Sequence, residues 1–196
     1  MTFFNALPCE IEYGDRVYRL TPAYDNILNM YEETKGLELL DKLDVMAYYL
    51  MEEPVLDVGL IMAILELIVG KAPKSEAAQP YFSFSQDAPY IYAAFRQTYG
   101  INLLEERGKL HWWEFNALLQ GLGEDTRFVQ IVQIRRKPLP KPTKDNREEI
   151  ARLVQLKREY ALEFSEEERQ EHLQAGLRKM FNAMMSMAKK EGERHE

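Results

Sequence analysis

A chain of 196 residues, 46% hydrophobic and 29% charged, has ordinary globular composition and room for a real core, and its length suits one domain with an appendage. Its 25 Lys and Arg stand against 32 Asp and Glu, so the formal charge of -7 argues against a general nucleic-acid binder. The single cysteine, Cys9, excludes an intramolecular disulfide and a cysteine-based metal cage, and points to a reducing cytoplasm.

The opening Met1 to Asn5 has neither the basic flank nor the apolar run of a secretory signal. Cys9 to Leu20 is predicted as a β-hairpin turning on Gly14-Asp15, since glycine at the first turn position takes positive φ. Pairing Tyr13 with Arg16 sets Ile11 opposite Tyr18 and Cys9 opposite Leu20 on an apolar face, with Glu10 opposite Arg19 on a charged one. Thr21-Pro22 is predicted to cap and open a helix to about Glu33, with Gly36 marking its end. A second helix, about Leu39 to Met51, sets Leu40, Leu43, Ala47 and Leu50 at spacings of three and four, and Pro54 closes it. The most apolar stretch, Val58 to Val69, carries Glu66, falls well short of the roughly 20 apolar residues of a membrane span, and reads as a central core helix.

An extended aromatic linker, Pro80 to Ser85, leads to a fourth helix, about Pro89 to Tyr99, stopped by Gly100. A fifth covers about Leu110 to Gln120, and a sixth runs from Thr126 to Arg135. The run Pro138-Leu-Pro140-Lys-Pro142 cannot continue a helix and favours extended geometry. Beyond it Asp145 with Glu148, and Ser165 with Glu168, are capping-box signals opening helices over about Arg147 to Tyr160 and Glu166 to Lys189. The plan is mainly α: an N-terminal β-hairpin and six-helix core over 1–137, a proline-rich linker over 138–144, and a C-terminal helical pair over 145–196 whose last six residues are expected to fray.

Motifs for phosphate binding and for acyl transfer are missing: there is no P-loop, no Gly-x-Gly-x-x-Gly and no Gly-x-Ser-x-Gly. His111 and Glu114 lie three apart, as in bundle di-iron sites. Those sites use the order Glu-x-x-His twice with two further carboxylates, and His172, with Arg169 three before it, supplies no second copy. No metal, cofactor or catalytic residue is assigned, and no enzymatic activity is expected. Trp112 and Trp113 point roughly 100° apart on a helix, and they suit a core against the third and fourth helices, or one of them an exposed partner anchor. Arg135, Arg136, Lys137, Lys141 and Lys144 form a basic island that suits a solvated linker, or an acidic or nucleic-acid partner. In the last helix Leu173, Leu177, Met180, Phe181, Met184 and Met185 describe one apolar stripe, suited to self-association or an adaptable partner contact, or to packing on its own domain.

From Tyr90 onward, Tyr90-Ile-Tyr-Ala-Ala-Phe95, Tyr99-Gly-Ile-Asn-Leu103, Gly108-Lys-Leu-His-Trp-Trp-Glu-Phe115, Leu118-Leu-Gln-Gly-Leu122 and Pro140-Lys-Pro-Thr-Lys144 closely resemble the phage gene-product-fifteen family of long-tailed phages and prophages of Gram-positive bacteria. The resemblance is expected to cover nearly the whole chain, including the Ser165 start of the last helix. It implies a non-catalytic tail assembly chaperone of the bacterial host cytoplasm, absent from the finished virion. Its partners would be the tape measure protein, the tail tube protein and other copies of itself, with no membrane. A DNA-binding or packaging accessory factor using the basic linker is the alternative.

Overall fold

Gly14, at a φ of 61°, closes a tight hairpin between β1 (Glu10–Tyr13) and β2 (Arg16–Arg19). The register is the one expected from facing: Tyr13 pairs Arg16, Ile11 pairs Tyr18, and Glu10 pairs Arg19. The chain is seen here as a computed structural model that describes residues 6–70 and 81–164. Its described residues form seven helices: α1 (Tyr24–Glu33), α2 (Leu39–Leu50), α3 (Val58–Ile68), α4 (Ala88–Tyr99), α5 (Trp112–Gln120), α6 (Arg127–Arg136) and α7 (Arg147–Glu159). They fall into two compact units. The first holds 6–70 and 87–133, the second 81–86 and 134–164, so the boundary lies inside α6, a few residues before the prolines.

In the first unit the predicted cap of α1 is corrected. The Thr21 hydroxyl donates to the Tyr49 carbonyl at 2.7 Å, and Ala23 is the N-cap. Residues 20–23 are drawn into strand-like pairings, Leu20 with Met51 and Ala23 with His111, and the Pro22 carbonyl accepts the Trp112 amide at 2.8 Å. Backbone groups that a longer helix would have satisfied internally are thus bonded across the fold. Helix α5 is likewise shorter than predicted, because His111 caps it instead of lying inside it.

The core is centred on Phe115. Its ring stacks on Tyr24 (centroids 4.9 Å apart), Phe95 (5.2 Å) and Trp112 (5.8 Å), joining α1, α4 and α5. Aromatic pairs at such spacings add to the burial of their large apolar area. The Tyr24 hydroxyl reaches the Leu103 carbonyl at 2.6 Å, and burial, followed by the Asp25 charge, raises its pKa. Helix α2 packs on both α1 and α3, with Leu43, Ala47 and Leu50 inside, and the Tyr49 hydroxyl donates to Glu33 of α1 at 2.6 Å.

The second unit is held by polar contacts. The Arg135 guanidinium donates to the carbonyls of Tyr160 and Tyr81, Lys157 donates to the Arg135 carbonyl, and the Gln86 amide exchanges two hydrogen bonds with the Glu163 backbone. The aromatic linker is therefore not simply extended: residues 84–87 form a turn, with Phe82 and Phe84 packed edge to face. At the start of α7 the N-cap is Asn146, not Asp145. Its side chain turns back to the linker, accepting from the Thr143 amide and donating to the Lys141 carbonyl.

Candidate functional site

Four consecutive residues, Leu110 to Trp113, each hold a different part of the first unit. The Leu110 carbonyl accepts the Tyr24 amide at 2.9 Å. The Trp113 amide donates to His111 Nδ1 at 3.0 Å, so that nitrogen carries a lone pair and Nε2 carries the proton, placed 3.2 Å from the Pro8 carbonyl. Trp112, 5% exposed, stacks in the core. The Trp113 indole donates to the Ile68 carbonyl at 2.7 Å, one of the orphan acceptors at the end of α3.

Both ring nitrogens of His111 are thus engaged in holding the fold, and its partner at the expected metal spacing, Glu114, takes no part in those bonds. Among the described residues no three His, Cys, Asp or Glu side chains gather as a metal site would need. The two tryptophans divide their roles. Helix α5 packs on α1 and α4, and it meets α3 through Trp113, which is only half-buried. Trp113 lines an open groove of about 670 Å³ between the last turn of α3 (Glu66 to Gly70) and the outer side of α5 (Asn116, Ala117, Gln120). The two positions differ by roughly 100° about the helix axis, and Trp112 takes the buried one while Trp113 takes the rim of this groove.

Helix α3 departs furthest from expectation. Asp57 caps it by accepting the Leu60 amide at 2.9 Å, and Leu60, Ile61, Ile64 and Ile68 are fully buried. At 100° per residue, Val58, Met62, Glu66 and Val69 share the opposite side. Val58 is 56% and Met62 59% exposed. A helix apolar all round is ordinarily enclosed on all sides, and this one is covered by the described residues on one side only. Helix α2 repeats the pattern at its first turn. Leu40 is in phase with the buried stripe, yet it is 69% exposed, because nothing among the described residues covers that turn. Tyr48 and Leu56 are exposed as well. The surroundings are acidic: between Glu38 and Gly70 the sequence has seven carboxylates and one lysine, Lys42, and all seven carboxylates lie on exposed residues.

The basic island is largely engaged within the second unit. Arg135 makes the carbonyl contacts given above, Arg136 lies 5.4 Å over the Tyr81 ring, and Lys137 pairs with Glu149 at 3.6 Å. The stripe Leu173, Leu177, Met180, Phe181, Met184 and Met185 lies outside the described residues, as do His172 and the rest of the last predicted helix. No helix among the described residues is long and apolar enough to cross a membrane.

A family model described as Bacteriophage Gp15 protein matches residues 3–162. The matched span takes in the hairpin, all seven helices and the Leu110 to Trp113 hub, and ends before Ser165, so the expected extension of the resemblance into the last helix is not part of it. Neither the curated proteins nor the solved structures give a match.

Proposed function

The chain belongs to the bacteriophage Gp15 family, and from that premise we propose that it is a non-catalytic tail assembly chaperone. Membership itself suggests a phage structural or morphogenesis protein. The finer reading is that the chain binds the tape measure protein, keeps that long amphipathic client soluble, and assists tail tube subunits to assemble around it. It works in the host cytoplasm and is left out of the finished virion.

The observation that carries this reading is the outer side of α3, where Val58 and Met62 lie open among the described residues, together with the mixed polar and apolar groove beside Trp113. Contiguous exposed apolar surface costs solubility, and a folded domain that keeps it has a use for it in binding. A helix laid against such a surface needs only an apolar stripe, so many client segments fit, and a flexible side chain such as that of exposed Met62 adapts to them. Net acidity keeps the loaded protein soluble.

Co-expression with the tape measure protein of the same phage tests the proposal: the client's soluble fraction should rise when the chain is present. Equal solubility with and without it would remove the function. A DNA-binding or packaging role would instead appear as DNA affinity falling steeply with salt. The engagement of Arg135, Arg136 and Lys137 inside their own unit speaks against that alternative.

A further inference from the structure

We propose that the outer face of α3 receives the segment 173–190 of a second copy, so that copies join head to tail. This concerns contacts between copies, and it stands whether or not the chain binds a tape measure protein.

Two sequence and surface properties fit each other. The receiving face offers Val58, Met62 and Val69 along α3, in a stretch from Glu38 to Gly70 carrying seven carboxylates against one lysine. The segment from Leu173 to Lys190 is its complement. It contains no acidic residue, carries Arg178, Lys179, Lys189 and Lys190, and spaces Leu173, Leu177, Met180, Phe181, Met184 and Met185 as one helical stripe. In an acidic chain of formal charge -7, a run of 18 residues without a carboxylate is a local reversal of sign, set on the same residues as the apolar stripe.

The lengths match too. At about 1.5 Å per residue, Val58 to Val69 covers about 16 Å of helix, and Leu173 to Met185, written as a helix, about 18 Å. Apolar residues then meet apolar residues, while basic flanks meet carboxylates, which sets orientation and speeds encounter. Because the two surfaces differ, the contact is heterologous: each copy keeps a free face and a free segment, and the assembly grows as a ring or an open row. A row would repeat the groove beside Trp113 along a client, converting weak single contacts into avidity.

The test uses the full chain in three forms: the parent, Met62→Arg on the face, and Phe181→Glu with Met184→Glu in the segment. Met62 is exposed, so its variant should keep the parent's circular dichroism; Val58→Asp, exposed on the same side of α3, serves as an independent second face variant. By light scattering after gel filtration, the parent should exceed monomer mass in a concentration-dependent way that weakens with added salt. Each variant alone should be monomeric. An equal mixture of a face variant with the segment variant should form a one-to-one dimer, since each supplies the surface the other has lost. The proposal is overturned if the parent is monomeric throughout the micromolar range. It also falls if the variants assemble like the parent, or if the mixture stays monomeric, as it would were the segment held by its own copy.

Discussion

The ring cluster around Phe115 and the outer side of α3 are both strongly apolar, and they lie in the same unit. Phe95 and Phe115 are enclosed by rings from three helices, whereas Val58 and Met62 meet no covering element among the described residues. Apolar side chains therefore do two kinds of work here. Where they are covered they hold the fold; where they are open among the described residues they are the surface on which the proposed contacts rest. Substitution separates the two, because removal of a covered side chain leaves a cavity, and removal of an open one leaves solvent where solvent already was.

The largest effect is expected at the centre. Phe115→Ala removes the ring on which three others stack, and should cost about 3–5 kcal/mol, read as a fall in the urea midpoint. A midpoint equal to the parent's would dissolve the contrast between the two regions. His111→Ala removes the cap of α5 and should cost about 0.5–2 kcal/mol, while His111→Asn, a good N-cap residue, should recover part of it. If both variants melt alike, the cap is not what His111 contributes.

A smaller effect belongs to the α1–α2 contact. The hydrogen bond to Glu33, reinforced by partial burial, pushes the Tyr49 hydroxyl up to about 12, and burial raises Tyr31. A folded pKa above the unfolded value, ~10 for tyrosine, means that the folded state holds protons the unfolded state has lost. The stability from Tyr49 is then complete below pH ~10 and is lost as pH rises towards about 12. Ultraviolet titration should show a late-ionising tyrosine that Glu33→Gln moves to lower pH; an unchanged titration would remove the Glu33 bond. The smallest effect should be at Met62. Met62→Gln is expected to shift stability by no more than about 0.5 kcal/mol, the range of ordinary surface substitutions. A loss of several times that would show the outer face to be part of the core after all.

Much of the local structure was legible in the sequence. The hairpin register followed from alternation and one glycine, and the end of α4 from Gly100. What the sequence could not display was which apolar residues lack a cover. Leu40 and Leu43 sit on one helical stripe and differ only in whether another element reaches them. The Thr21 and His111 misreadings share a cause: both residues lie where long-range backbone pairings replace the ends of helices, and local capping signals are silent about partners about thirty residues away for Thr21 and about ninety for His111. The adjacent tryptophans did not decide the matter by themselves: adjacent Leu60 and Ile61 are both fully buried, whereas of the pair Trp112 and Trp113 only Trp112 is buried.

The methionines supply an internal comparison for the central claim, that the outer face of α3 is a contact surface. Met30 and Met51 are 1% and 2% exposed, against 59% for Met62. With methionine methyl groups labelled, a soluble paramagnetic agent broadens only what it reaches. In the monomeric Phe181→Glu, Met184→Glu variant the Met62 methyl should broaden while Met30 and Met51 stay sharp. In the parent, concentrated enough to assemble, the Met62 methyl should become protected as well. A Met62 signal broadened equally in the parent and the variant would contradict the claim.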